Sequence, residues 1–334
     1  MSASRVAAAS MPRRSILAGM AGLAGMVGAG LGAGLASSAL AAPRKRFFDR
    51  IGKPIGLQVY TLGDEPSKDL DGTFARIAAI GYRDIELPGL LGKTPAEMKA
   101  AADRAGLRLS SIHLPLQGMP GGAGLSLLSE PQRIADDLGA LGIFQGVAPI
   151  APFPADFRPQ KGEDMKAAIG RSFAAAGKAH WQRAAATLNE RAAALRPFGI
   201  VVGYHNHNIE FAPVDGTTGW DVLVAETDPR LVHFEVDVGW VAAAGIDPVA
   251  FFARHTGRCR WMHVKDVKAS TRTNYVLSMD PTEVGSGKID WARVLPAARA
   301  AGIEHFYLEQ EPPFAIPRMD AAAKGYGFLA NLRA

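Results

Sequence analysis

Cysteine is nearly absent from this sequence: Cys259 is the only one among 334 residues. A single thiol cannot form a disulfide within the chain. Arg258 and Arg260 flank it, and this setting is more typical of the start of a strand than of a catalytic nucleophile. Stability must therefore come from a buried core, and the chain is long enough for one large domain.

Positive charge is also scarce once the first residues are set aside. The whole chain has a formal charge of +5, but residues 1–41 contain three arginines and no acid, which leaves +2 for the rest. No broad basic stripe remains, so a nucleic-acid partner is not expected.

Nucleotide-binding patterns are missing as well. No Gly-x-Gly-x-x-Gly turn follows the first predicted strand, as a dinucleotide-binding sheet would require. The run Gly285-Ser286-Gly287-Lys288 lacks both the earlier glycine and the following Ser or Thr of a phosphate loop. We interpret it as a glycine-rich turn beside the site described below.

The first forty residues have the pattern of an export signal. Arg13 and Arg14 precede an uncharged Gly/Ala-rich stretch, residues 16–40, and Ala39-Leu40-Ala41 is typical of a cleavage site. A retained membrane anchor is the alternative, because the stretch is long enough to span a bilayer. Its glycines and alanines would make a poor anchor.

The paired arginines resemble a twin-arginine signal, although the following Ser-Ile-Leu matches that pattern only in part. The resemblance implies that the twin-arginine machinery exports the folded protein, with any metal already loaded, to the periplasm or beyond. We therefore expect residues 42–334 to form a single mature domain without membrane contact.

Eight β-rich runs alternate with helical segments from Lys53 onward. The predicted strands are 55–60, 82–87, 107–114, 142–148, one beginning at Ile200, 231–238, 259–264 and 304–309. Between the fourth and fifth strands, residues 164–196 form one helix or two broken near Gly177. Eight strand–helix units predict an α/β protein with a single closed (β/α)₈ TIM barrel. An open doubly wound sheet is the rival architecture.

Polar side chains gather at the ends of the later predicted strands. The fifth strand leads into His205 and His207, which strand alternation places on one side. The next three strands end in Asp237, His263 and Glu309. Each alone could cap a loop or form an ion pair, but together they would bury charge without a common partner. Mixed nitrogen and oxygen ligands suit Mn²⁺, Mg²⁺, Co²⁺ or Zn²⁺.

Five motifs in this order resemble the xylose isomerase-like sugar phosphate isomerase/epimerase superfamily. They are the runs 199–207, 236–245, 262–266, 283–291 and 307–311. The resemblance covers the mature chain and implies a TIM barrel with one divalent metal, for which we expect Mn²⁺ first. In the family, Glu, Asp, His and Glu from the last four strands hold this ion, and Asp237, His263 and Glu309 match the last three.

The first ligand departs from the family pattern, because His205 stands where relatives have Glu. Either His205 binds the metal, or Glu210 reaches back to it. We favour Glu210, because hard divalent ions working on sugar oxygens prefer carboxylates. The candidate catalytic residues are then His205, His207 and Glu309, since an imidazole titrates near neutral pH.

The resemblance also implies four substrate-binding residues. Glu86 and His113 end the second and third strands, and a structural role is an equal alternative for both. Lys265 follows the seventh strand. Trp240 replaces a family His and offers a stacking face to a sugar ring.

The implied chemistry is proton removal next to a sugar carbonyl, with the metal stabilising the enediolate. We expect an isomerase or epimerase for a small sugar or keto-sugar. A lyase or dehydratase acting on 3-keto-glycosides is the runner-up. An endonuclease-like phosphodiesterase would need further His or Glu ligands and a basic channel, and a non-catalytic sugar-binding barrel would hold no metal. The sequence leaves a homo-oligomer open.

Overall fold

Eight parallel strands close into a barrel in the computed structural model, which describes residues 45–117 and 124–334. They are β1 Gly56–Gln58, β2 Asp84–Leu87, β3 Arg108–His113, β4 Gln145–Ala148, β5 Val201–His205, β6 Val232–Asp237, β7 Cys259–Val264 and β8 His305–Leu308. Each strand pairs with its sequence neighbour, and β1 pairs with β8 to complete the ring. The predicted TIM barrel is confirmed. The predicted export signal lies outside the described residues.

Twelve α-helices occur in the described residues, and most of them connect successive strands. They are α1 Phe47–Ile51, α2 Glu65–Lys68, α3 Leu70–Ile80, α4 Pro95–Ala105, α5 Pro131–Leu141, α6 Met165–Ala175, α7 Gly177–Leu195, α8 Gly219–Glu226, α9 Val238–Ala243, α10 Pro248–Arg254, α11 Trp291–Ala301 and α12 Arg318–Asn331. The segment between β4 and β5 is two helices, broken where Gly177 adopts a φ of 69°. No helix in this part of the chain is both long and apolar enough to cross a bilayer.

Local sequence signals explain where α4 begins and ends. Thr94 accepts a hydrogen bond from the Glu97 backbone N–H, and the Glu97 carboxylate accepts one from the Thr94 backbone in return. Pro95 fills the first helical position, where its missing N–H costs nothing. Gly106 ends the helix with a φ of 67°. This reciprocal cap confirms the predicted helix.

A layer of buried side chains, which we call the floor, fills the interior of the barrel below the strand ends. Val147, Trp261 and Tyr307 pack together there and are almost wholly buried. Because side chains alternate along a strand, the residues two positions later point into the same interior, one layer nearer the carboxyl ends. His263 follows Trp261 in this way, and Glu309 follows Tyr307. Strand alternation therefore determines which polar side chains lie above the floor and face the mouth.

Candidate active site

Eight polar side chains meet at the carboxyl end of the barrel, and we call them the mouth cluster. Their members come from six strands or the residues directly after them: Glu86, His113, His205, Glu235, Asp237, His263, Lys265 and Glu309. All are buried except His113, whose side chain is 12% exposed. The cluster has a lower tier next to the floor and an upper tier at the mouth.

Two carboxylates form the lower tier. The Oε2 atom of Glu235 lies 3.0 Å from Nδ1 of His205, 3.1 Å from Nε2 of His113 and 3.2 Å from Nε2 of His263. The Oε1 atom of Glu86 lies 2.6 Å from Nε2 of His263 and 3.4 Å from Nε2 of His113. Three imidazoles thus surround two buried acids.

The upper tier combines two carboxylates with an ammonium group. Nδ1 of His263 lies 2.7 Å from Glu309 Oε2 and 3.7 Å from Asp237 Oδ2. Nε2 of His205 lies 3.8 Å from the same Asp237 oxygen. The Lys265 ammonium lies 2.7 Å from Asp237 Oδ2 and 2.8 Å from Glu309 Oε2. Both imidazoles therefore face both tiers.

The carboxylates raise the pKa values of their basic neighbours. Burial disfavours the charged form of His113, but the Glu86 and Glu235 carboxylates outweigh it and raise its pKa to about 9. Burial likewise opposes protonation of His263, yet Glu235 and Glu309 hold its pKa well above the usual range. The carboxylates also outweigh burial at Lys265, whose pKa is raised. Without a metal, the protons on His113 and His263 and the Lys265 ammonium offset the negative charge of the carboxylates.

The two histidines that follow β5's apolar run behave in the opposite way. Burial and the positive charge on His263 hold the pKa of His205 well below its usual range. Burial and the Lys265 ammonium lower the pKa of His207 to about 3. Both rings are therefore neutral at neutral pH, which is the form that binds a metal or accepts a proton.

The cluster fits a divalent cation by its charge and its unpaired atoms. The cluster and its edge hold five carboxylates but one amine, that of Lys265, which contacts Asp237, Glu309 and, at 3.3 Å, Glu311. Among the described residues, Glu86 Oε2 and Glu235 Oε1 are buried without a hydrogen-bond partner. The potential ligand atoms of Asp237, His263 and Glu309 all lie within 4.8 Å of one another. The same holds within a second group, which is formed by His113, His205, Glu235 and His263.

A pocket of about 310 Å³ opens above the cluster. Its walls are Tyr60, Pro88, His113, Pro149, Ile150, His205, His207, Glu309 and Glu311. The volume is at the lower end of the range for small-molecule sites, ~300–1,000 Å³. His207 is partly exposed on this wall, packs against Trp240 at 5.3 Å between ring centroids, and its buried Nδ1 has no hydrogen-bond partner in the described chain.

Glu210, which the sequence analysis favoured as the fifth-strand ligand, lies apart from this cluster. After β5 the chain turns through a short 3₁₀ helix, Ile209–Phe211. The two Glu210 oxygens there accept hydrogen bonds from the Tyr204 hydroxyl at 2.7 Å and the His207 backbone N–H at 2.8 Å. Tyr204 points away from the barrel interior, because it alternates with His205. Of the two alternatives, His205 is the one whose side chain lies in the cluster.

The predicted substrate-binding residues fall into different places. His113 lines the pocket, whereas Glu86 lies in the lower tier with its Oε1 atom against His263. Lys265 is 1% exposed and contacts carboxylates. Trp240 is buried, and the Lys265 ammonium lies 5.2 Å from its ring centroid. Trp240 thus supports the site from behind and is absent from the pocket wall described above.

Glu235 and Glu311 belong to the site, although sequence reasoning gave them no role. A signal for each was present. Glu235 precedes Asp237 by two residues, and Glu311 follows Glu309 by two, so strand alternation relates each to a residue already selected.

The loop Glu283–Trp291 is fixed beside the cluster by one carboxylate. Asp266 Oδ2 accepts hydrogen bonds from the N–H groups of Gly285 at 2.9 Å and Gly287 at 3.2 Å and from the Trp291 indole at 3.0 Å. A Cβ atom at Gly287 would collide with Asp266. The glycines therefore allow the backbone to approach a carboxylate of the protein itself.

Comparison with protein families identifies this architecture. The profile of the xylose isomerase-like TIM barrel matches residues 74–332. The chain belongs to the xylose isomerase-like TIM barrel family.

This xylose isomerase-like chain is similar to two curated inosose dehydratases. It is 30% identical to that of Geobacillus thermodenitrificans over 132 residues, which are 36% of this chain and 44% of the relative. It is 23% identical to that of Geobacillus kaustophilus over 217 residues, which are 62% of this chain and 64% of the relative. The matches span less than two thirds of either relative.

Solved structures share the xylose isomerase-like barrel. A sugar phosphate isomerase/epimerase from Parabacteroides distasonis has a TM-score of 0.65 at 24% identity, covering 84% of this chain and 94% of that one. The 3-keto-D-glucoside 4-epimerase of E. coli has a TM-score of 0.58 at 18% identity, covering 83% and 98%. The IolI protein with a bound zinc atom has a TM-score of 0.56 at 14% identity, covering 82% and 96%. At these identities the likeness shows the fold.

Proposed function

We propose that this protein is a divalent-metal-dependent enzyme that removes a proton next to the carbonyl of a small sugar derivative. The observation that carries the proposal is the convergence of Asp237, His263 and Glu309 with His205 beneath a pocket that also presents His207. Isomerisation follows when the proton returns to the neighbouring carbon. Epimerisation follows when it returns to the opposite face of the same carbon. Mn²⁺ is the ion we propose, because the ligands mix carboxylates and imidazoles.

The metal ligands we propose are Asp237, His263, Glu309 and His205. A divalent ion held there would act as a Lewis acid toward the oxygens of a hydroxyketone. Metal binding would replace protons and share the carboxylates with Lys265, because the ammonium lies against Asp237 Oδ2 and Glu309 Oε2.

His207 is the proton-transfer group that the geometry supports best. Of the three catalytic candidates, Glu309 has one oxygen held by His263 and Lys265, and His205 has Nδ1 directed at Glu235. His207 lines the pocket, and its Nδ1 has no hydrogen-bond partner among the described residues. It can therefore accept a proton from a substrate carbon and return it.

The charge of the pocket favours an uncharged substrate. Glu309 and Glu311 stand on its wall, and no Lys or Arg is among the described residues that line it. A phosphate or carboxylate bound in the pocket away from the metal would meet these acids without a Lys or Arg on the wall to neutralise it. We therefore propose free sugars, keto-sugars, cyclic polyol ketones and 3-keto-glycosides as the substrate class.

Elimination is the second candidate outcome of the same proton transfer. The similarity to inosose dehydratases favours it, because loss of water next to a carbonyl begins with removal of the same kind of proton. The shared first step makes one experiment informative for both outcomes.

Deuterium exchange from D₂O tests the proposal directly. The Mn²⁺-loaded protein is incubated with inososes, ketohexoses and 3-keto-glycosides, and deuterium at the carbon next to the carbonyl is followed by NMR. We expect exchange with at least one substrate and its loss after chelation. A changed sugar configuration indicates epimerisation, whereas release of water or alcohol indicates elimination.

His207→Asn is the matched variant, because it removes the proton acceptor and keeps the metal ligands. It should bind Mn²⁺ as the wild type does while losing at least 100-fold in exchange rate, within the usual contribution of general acid–base catalysis. Exchange that persists in chelator, or full exchange in this variant, would contradict the proposed mechanism.

A further inference from the structure

The lower carboxylates, Glu86 and Glu235, are the part of the mouth cluster that the proposed chemistry leaves without a role. Both are completely buried, on β2 and β6 respectively. Neither is among the residues that line the pocket. A substrate in that pocket would not touch them, so their function must act through their neighbours.

In both His263 and His205, one ring nitrogen faces a carboxylate of the upper tier and the other faces a carboxylate of the lower tier. For His263, Nδ1 lies 2.7 Å from Glu309 above, and Nε2 lies 2.6 Å from Glu86 below. For His205, Nε2 lies 3.8 Å from Asp237 above, and Nδ1 lies 3.0 Å from Glu235 below. An imidazole that binds a metal through one nitrogen carries a hydrogen on the other, and this hydrogen needs an acceptor.

We propose that Glu86 and Glu235 are positioning residues for the two imidazole ligands. Glu86 accepts the Nε2–H of His263 and thereby turns Nδ1 toward the metal site. Glu235 accepts the Nδ1–H of His205 and turns Nε2 toward the same point. The inference rests on the proposed function, since it requires a metal held by these rings.

Further contacts hold the two carboxylates themselves in place. Gln58 Nε2 donates to Glu86 Oε1 at 2.9 Å. His113 Nε2 lies 3.4 Å from Glu86 and 3.1 Å from Glu235, between the two acids. With both acids fixed by these contacts, neither histidine ring can turn without losing a buried hydrogen bond. The rings are therefore oriented before a metal arrives.

Affinity for Co²⁺ tests this role, because its visible spectrum also reports the ligand geometry. The full-length protein, Glu86→Gln and Glu235→Gln are titrated with Co²⁺ in competition with a chelator. Gln keeps the side-chain shape but is a weaker acceptor. We expect the dissociation constant to rise about 10- to 100-fold in each variant, with altered visible bands.

Asp84→Asn is the matched control for loss of a buried carboxylate–imidazole contact. Asp84 Oδ2 lies 2.8 Å from Nδ1 of His305 at the other end of the barrel. Its variant should bind Co²⁺ as the wild type does, even if its melting temperature falls. Should Glu235→Gln fail to fold, Glu86→Gln decides the question through His263 alone.

One result would overturn the inference while leaving the proposed function intact: wild-type Co²⁺ affinity in both variants, which would limit these acids to stabilising the barrel. Complete loss of Co²⁺ from Glu235→Gln with retention in Asp237→Asn would also overturn the inference, because it would place the ion on Glu235 itself, and it would change the proposed ligand set as well. A wild-type protein that binds no divalent ion would overturn the proposed function together with this inference.

Discussion

At the scale of the residue, Lys265 sets the charge balance of the mouth cluster. It is 1% exposed, and its ammonium contacts Asp237 and Glu309 at 2.7 and 2.8 Å. The side chain also lies over Gly239, where any Cβ would meet its methylene groups. A buried amine in this position stabilises the carboxylates when no metal is bound.

Lys265→Met should therefore lower the stability of the metal-free protein. Removing one partner of a buried ion pair costs about 3–5 kcal/mol, because the remaining charge loses its compensation. Mn²⁺ should raise the melting temperature of this variant more than that of the wild type. The control is Lys324→Met, whose 52%-exposed side chain pairs with Glu283 at 3.0 Å. It should change stability by about 1 kcal/mol or less. Equal melting temperatures for both metal-free variants would contradict the role of Lys265.

Glu210 should make stability depend on pH in an unusual direction. Burial raises its pKa to about 7, against hydrogen bonds from Tyr204 and His207 that lower it. The folded state thus holds this proton more tightly than the unfolded chain does. The resulting stability is fully present below about pH 4.5 and is lost as pH rises through about 7.

Glu210→Gln should remove this loss, because the amide stays neutral at every pH. In chelator, the free energy of unfolding of the variant relative to wild type should rise by up to about 3 kcal/mol between pH 4.5 and pH 8. Urea unfolding at both pH values measures it. Metal content should stay unchanged, and its loss would restore Glu210 as the fifth-strand ligand.

The sequence indicated which side chains gather at the mouth of the barrel more reliably than it indicated the contacts that they make there. Asp237, His263 and Glu309 could be selected because they end three consecutive predicted strands and also match the family motifs. Glu210 could not be placed, because its position depends on the 3₁₀ turn Ile209–Phe211 and on a hydrogen bond to Tyr204. Neither leaves a periodic signal. Glu235 was within reach of the alternation argument and was overlooked.

At the scale of the element, the loop Glu283–Trp291 depends on Asp266. Besides the Gly285, Gly287 and Trp291 donors, Asp266 Oδ1 accepts from the backbone N–H groups of Val267 and Ile289. One carboxylate therefore replaces the regular backbone pairing that this irregular segment lacks. It secures the loop to the end of β7, next to Lys265.

Asp266→Asn should release the loop, because the amide nitrogen cannot accept hydrogen bonds from these donors. We expect a loss of about 2–3 kcal/mol in stability, the cost of leaving buried donors unpaired. Urea unfolding measures the change. Asp290→Asn is the control in the same loop, since Asp290 is exposed and makes no side-chain cap bond. It should stay within about 0.5 kcal/mol of wild type, and an equal loss in both variants would argue against the Asp266 anchor.

Elements with clear periodicity and caps were predictable, whereas those made by tertiary contacts were not. The bounds of α4 and α5 follow from Thr94, Gly106, Pro131 and Gly142. Helix α9 was missed, because Val238 and Gly239 resemble a continuing strand. The helix begins there because the Asp237 carboxylate accepts the Trp240 N–H at 3.1 Å. One residue thus ends a strand, caps a helix and faces the cluster.

At the scale of the whole molecule, export is a proposal that rests on residues 1–41, which lie outside the described part. Replacing Arg13 and Arg14 by Lys should keep the protein in the cytoplasm, because twin-arginine export depends on the arginine pair. Cell fractionation measures this, with Arg5→Lys as the control that should be exported normally. Normal export of the double variant would indicate another route.

The floor of the barrel has a consequence for substrate binding and product release. Val147, Trp261 and Tyr307 fill the barrel interior beneath the mouth cluster with almost wholly buried side chains. Substrate would then enter and product would leave through the same opening of the pocket. Under the proposed function, product that stays bound there would exclude the next substrate, and its inhibition would be competitive. The residues that line the pocket would then control how fast product leaves, while the mouth cluster beneath them would control the chemical step.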